Sequence, residues 1–140
     1  MRDHDLSLTG EYLIRYIRGR SEWWPLVEIK KLPAAFFCTA AGNEPVREWL
    51  KALGDDDRRI VGQDIATAEF GWPVGMPVCR PLGNGLYEIR SDISHGRISR
   101  VIFCIAKEQM VLLHSFIKKT QRTPKADLNL ASIRKKEVTT

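Results

Sequence analysis

Six of the seven cations in the forty-residue stretch GLYEIRSDISHGRISRVIFCIAKEQMVLLHSFIKKTQRTP, between Gly85 and Pro124, lie in or beside its apolar runs; the seventh, Lys107, falls in a turn. The six are Arg90, Arg97, Arg100, Lys118, Lys119 and Arg122, and few acids lie among them. Gln121 adds a neutral donor beside the last of them. The guanidinium fork matches phosphate oxygens, and lysine supplies a compact positive charge. Among the familiar chemical signatures, the chain has no glycine-rich phosphate loop, no Ser-His-Asp order and no metal-ligand set. A small sheet carrying cations alone points to a phosphate-rich ligand, and RNA comes first. Arg90 lies in mid-strand, where an arginine needs a partner, so it is the leading phosphate clamp. Arg100 is similar and closer to a structural role. His114, on an apolar strand face, is either a bonded core histidine or a proton-transfer group. His95 falls in a turn and reads as an exposed side chain.

These residues need a frame. The chain has 140 residues and reads as one domain that can bury its own core. Its net charge of +5 favours anionic partners without proving one. Charge is divided along the chain. Residues 43–71 hold seven acids against four bases, whereas residues 114–140 hold seven bases against two acids. Two surfaces with different partners follow from that polarity. Cys38, Cys79 and Cys104 are far apart and form no CxxC pair, which speaks against a disulfide framework or zinc site and for a reducing, cytoplasmic setting. No apolar run is long enough to span a bilayer, and the N-terminus lacks the order of a signal peptide.

The periodicities predict an α+β layout. Residues 1–33 read as an N-terminal extension, with a short amphipathic helix at Tyr12–Ile17 and Trp23-Trp24 beyond it. Ala34–Thr39 (AAFFCT) suits a first strand. Asn43 offers an N-cap with Pro45 in the first turn, and Val46, Trp49, Leu50 and Leu53 follow at helical spacing up to Gly54. Asp55, Asp56 and Asp57 open a second helix that Gly71 closes, giving a helical hairpin. Strands follow at Val78–Leu82, Leu86–Ser91, Ile98–Ala106 and Met110–Ile117, with Pro81 marking an edge or a bulge. Strict alternation puts His114, Phe116 and Lys118 on one face with Met110 and Leu112. Thr123 caps a final helix, with Pro124 at its first position.

The stretches EPVREWLKAL, GWPVGMPVCRPLGNGLYEIRS, RISRVIFCIA and MVLLHSFIKKTQRTPKADLNLA resemble the phage-derived branch of the RelE/ParE superfamily, the HigB-type toxins of toxin–antitoxin pairs. The resemblance covers residues 34–138. It implies a RelE-like fold: a small, largely antiparallel sheet, an N-terminal helical hairpin on one face and a C-terminal helix. It also implies a metal-independent, ribosome-dependent mRNA endoribonuclease needing no cofactor. In that chemistry the ribose 2′-OH attacks the adjacent phosphate, which requires a base, cations and a proton for the leaving oxygen. Carried onto this sequence, Arg90 of LYEIR is the charge stabiliser, and Lys118 or Lys119 of FIKKTQ is the phosphate binder or acid. Arg97, Arg100, Gln121 and Arg122 support RNA binding, and His114 is the reserve base. The chain has no tyrosine after Tyr87, so a mechanism built on a C-terminal tyrosine is not expected. The implied partners are a helix-turn-helix antitoxin, the ribosome with its mRNA, and operator DNA through the antitoxin complex alone. The alternatives are a ParE-like gyrase inhibitor and a non-catalytic co-repressor.

Overall fold

The computed structural model describes residues 30–73, 75, 78–118 and 122–139. The helix expected at Tyr12–Ile17, the Trp23-Trp24 pair, Lys119 and Gln121 lie outside the described residues. Five strands form one sheet: β1 (Ala34–Phe36), β2 (Cys79–Gly83), β3 (Leu86–Asp92), β4 (Ile98–Ala106) and β5 (Gln109–Lys118). Their spatial order is β1-β5-β4-β3-β2. β1 runs parallel to β5, and the other three pairings are antiparallel. The longest, most apolar runs supply the central strands β4 and β5, while Pro81 sits on the edge strand β2 beside a register shift, where its missing N–H costs no ladder bond.

Helices α1 (Pro45–Ala52) and α2 (Asp55–Gly71) form the expected hairpin over one face. Val46, Leu50, Val61, Ile65 and Ala68 from the hairpin meet Cys79, Ile89, Val101, Phe103, Met110 and Leu112 from the sheet. Trp72, Tyr87 and Phe103 close that core, with ring centroids 5.2–5.6 Å apart. The N-cap of α1 is Glu44 rather than Asn43, and it makes no side-chain cap bond. The Asn43 backbone N–H instead bonds Thr39 Oγ1 at 3.1 Å within the preceding turn.

The opposite face carries α3 (Lys125–Thr139), whose Ala131 and Leu128 pack on Phe37, Leu86, Ile102, Cys104, Val111 and Leu113. Thr123 was expected to cap α3, but its hydroxyl donates to Glu88 in β3 at 3.1 Å. The Asp127 and Leu128 amides in the first turn of the helix bond the Pro124 carbonyl.

One irregularity decides where the cations stand. β5 carries an extra residue against β4, for Ile102 pairs with His114 while Phe103 pairs with Leu112. Leu113 is the bulged residue. Its carbonyl accepts from Arg134 Nη1 of α3 at 2.7 Å. A one-residue insertion reverses the facing of everything beyond it. The alternation expected through β5 therefore fails at this point. His114, Phe116 and Lys118 lie on the α3 face, while Met110 and Leu112 lie under the hairpin.

Candidate phosphate-binding site

Register stacks the α3 face in rows that run across the sheet. Arg80, Glu88, Ile102 and His114 form one row. Arg90, Arg100 and Phe116 form the next, and Asp92, Ile98 and Lys118 the one beyond it. The N-terminal end of α3 reaches the first row, through Thr123 on Glu88 and Asp127 on His114. The second and third rows bring Arg90, Arg100 and Lys118 together where the apolar layer under α3 ends.

Glu88 is the hub. It is buried, with 1 % of its surface exposed. Its carboxylate takes Arg100 Nη1, Arg80 Nη2 at 3.0 Å and the Thr123 hydroxyl. A buried carboxylate is tolerated only when paired and hydrogen-bonded, and these contacts meet that requirement. Arg100 is itself 4 % exposed, and its Nε is a buried donor with no hydrogen-bond partner among the described residues. Burial and the neighbouring Arg80 both weaken its hold on the proton. Arg100 therefore anchors the hub from below.

Two arginines reach outward. The Arg80 side chain is 39 % exposed and the Arg90 side chain 38 %. Among the described residues, the ion pair of Arg90 is a long 4.0 Å approach to the exposed Asp92. Lys118 stands beside them, half-buried. Its pKa is lowered to about 8, first by burial and then by the charges of Arg100, Arg80 and Arg90. Those causes tie all four cations to one neighbourhood. Four cations against the buried Glu88 and the exposed Asp92 leave an excess of positive charge, and an anion with several oxygens would neutralise it.

The other expected site residues fall elsewhere. Arg97 is not part of the cluster. Its Nη2 pairs with Asp57 Oδ2 of α2 at 2.8 Å and with Ser94 Oγ at 3.0 Å, so it fastens the turn before β4 to the helical hairpin. The Ser94 backbone N–H completes the grip on Asp57 at 2.9 Å. That bond, opposed by burial and aided by the Ser94 hydroxyl and Arg97, holds the Asp57 carboxyl below the usual range. His114 Nε2 lies 2.6 Å from Asp127 Oδ1, and its ring stacks on Phe116 at 5.6 Å. Its strongest tie is thus to α3, and Phe116 separates it from Lys118 along the strand. Arg122 is exposed just ahead of Thr123. Arg80 was missed by sequence reasoning. The signal available was its position three residues ahead of Gly83, on the strand that leads into the hairpin turn.

A family model describing a phage-derived Gp49-like protein (DUF891) matches residues 48–136. The chain belongs to this Gp49-like family. The family is a member of the RelE/ParE-like toxin superfamily, and the five-stranded, mostly antiparallel sheet with its C-terminal helix is consistent with a RelE-like fold. No curated protein matches the chain. The matched segment contains every cation of the cluster, from Arg80 to Lys118. Among the described residues, no helix is long and apolar enough to cross a membrane, and no group of His, Cys, Asp and Glu could hold a metal ion.

Proposed function

We propose that this Gp49-like protein is the HigB-type toxin of a toxin–antitoxin pair and acts as a ribosome-dependent mRNA endoribonuclease. The observation that carries the reading is the pairing of Arg80 and Arg100 on the buried Glu88, with Arg90 and Lys118 beside them in the neighbouring rows. A scissile phosphodiester sits on Arg90 and Arg80, whose side chains are partly exposed, and their free guanidinium donors take the non-bridging oxygens. The ribose 2′-oxygen attacks the adjacent phosphorus, the new O2′–P bond forms and the P–O5′ bond breaks. The products are a 2′,3′-cyclic phosphate and a 5′-hydroxyl end. The two arginines stabilise the extra negative charge of the phosphorane, which is where preorganised donors contribute most.

Two protons must move, from the 2′-hydroxyl and to the leaving 5′-oxygen. Lys118, with a pKa of about 8, exchanges a proton near neutral pH far more readily than an ordinary lysine. It is assigned to one of these transfers. Arg100 acts through Glu88 by fixing Arg80. His114 acts through Asp127 by seating the start of α3. Lys119, Gln121 and Arg122 come next in the sequence and add donors for flanking phosphates. A helix-turn-helix antitoxin is the expected partner for the same face. The pair would meet operator DNA through the antitoxin.

Cell-free translation tests the reading. Purified protein should stop synthesis and shorten the mRNA when ribosomes are translating it, and leave naked mRNA intact. Full-length mRNA with normal synthesis would overturn the reading, and inhibited DNA supercoiling in the same preparation would transfer it to gyrase.

A further inference from the structure

The row that carries Arg90 and Arg100 ends in an aromatic ring. Phe116 pairs directly with Arg100 across β4 and β5, and is half-buried. On one side along its strand lies His114, whose ring is tilted only 24° from it at 5.6 Å. On the other side lies Lys118. A polar rim begins here, so this is an unusual place for a phenyl ring. Phe116 does pack on the layer under α3. An aliphatic side chain would fill that role as well.

We infer that Phe116, backed by His114, is the stacking platform for an unpaired nucleobase next to the phosphate held by Arg90 and Arg80. The inference rests on the RNA reading above and assigns its substrate: single-stranded RNA gripped by one base as well as by its backbone. Single-strand recognition combines cations that follow the phosphates with aromatic rings that take the base faces. Here the two kinds of group are neighbours in one register row. The Asp127 carboxylate on Nε2 fixes the plane of the His114 ring, and that ring in turn supports Phe116 from behind. A duplex hides its base faces and would be refused. Stacking tolerates any base, so the subsite favours an exposed nucleotide without specifying a sequence.

The test is a fluorescence titration at low salt with a short oligoribonucleotide carrying one 2-aminopurine. Stacking quenches that base. Wild-type protein and Phe116→Tyr should quench it, whereas Phe116→Leu should not, and should bind about tenfold more weakly, as loss of one stacked base implies. Inorganic tripolyphosphate should bind all three proteins alike, because it engages the cations only. Titrating wild-type protein with the same strand bearing an abasic ribose asks the question without any substitution, and about a tenfold loss is again expected. Absence of quenching by the wild type, equal affinity for the abasic strand, or an equal loss of tripolyphosphate binding in Phe116→Leu would overturn the inference. Base-dependent binding with no mRNA cleavage in translation would support the inference and sink the nuclease reading.

Discussion

The two faces of the sheet solve the problem of buried charge in opposite ways. Under the helical hairpin the core is apolar, and its buried carboxylates Asp57 and Glu69 each hold partners. Asp57 holds Ser94 and Arg97, while Glu69 takes the Ala34 backbone N–H at 2.7 Å and Lys30 at 3.1 Å. Under α3 the apolar layer stops halfway along the strands. Beyond it the buried Glu88 holds two arginines, and a third arginine and a lysine stand in the neighbouring rows. Like charges at close range weaken a fold, and burial makes their repulsion stronger. The α3 face carries an electrostatic cost that an anionic ligand would offset.

Exchanging the outward guanidinium groups should separate the faces most sharply. Replacing Arg80 and Arg90 together by alanine should lower mRNA cleavage by at least about 100-fold, since one lost transition-state donor alone costs about 10²–10³. The thermal midpoint should fall somewhat, because the buried Glu88 keeps Arg100 and Thr123 but loses Arg80, so cleavage is compared per folded molecule. A variant that still arrests growth on induction would refute the assignment of these arginines. Leu112→Ala on the hairpin face should do the reverse. It leaves a cavity in a fully buried site and should destabilise the protein by about 2–5 kcal/mol in urea unfolding, with cleavage per folded molecule retained.

Smaller effects sharpen the contrast further. Arg97→Ala should lower the melting midpoint by a few degrees and leave toxicity intact, because it removes a partner of Asp57 and no part of the cluster. Asp57 has a depressed folded pKa. Its contribution is therefore present above the unfolded carboxyl value and is lost as acid titrates through the lower folded one. The Arg97→Ala melting curves should converge with the wild type in acid. Lys118 has the opposite sign. Its folded pKa of about 8 is below the usual lysine value, so the unfolded chain holds the proton more tightly. Stability should rise as pH increases from about 8 toward the ordinary lysine value of about 10.4. Cys79 opposes this in part of the same range, because burial pushes its thiol up to about 11. The clean measurement is thus the difference between wild type and Lys118→Met. The variant should be more stable at neutral pH, and its advantage should fade above about pH 8.

Much of this contrast was legible in the sequence, and the failures have physical causes. The helical hairpin and the order of four consecutive strands followed from periodicity and from the Gly83-Asn84-Gly85 turn. The facing of Glu88 with Arg90, and of Arg100 with Ile102, followed from alternation alone. Beyond Leu113 alternation misled. A bulge is an unpaired residue with no sequence mark of its own, and what satisfies its carbonyl is Arg134, on a different element. Arg97 and Arg100 resembled Arg90 in sequence, yet one is held by an acid forty residues away and the other is buried on Glu88. Pairings of that kind depend on tertiary packing. Arg80 stayed hidden because attention to Pro81 cast its strand as an edge, and only register reveals that Glu88 lies opposite.

The most direct measurement maps mRNA 5′ ends by primer extension in cell-free translation, with wild type and Arg90→Ala side by side. The account predicts new 5′-hydroxyl ends that appear only on translated message and disappear with Arg90→Ala, while the variant melts like the wild type. Ends that persist in the variant, or message that stays whole with the wild type, would contradict it.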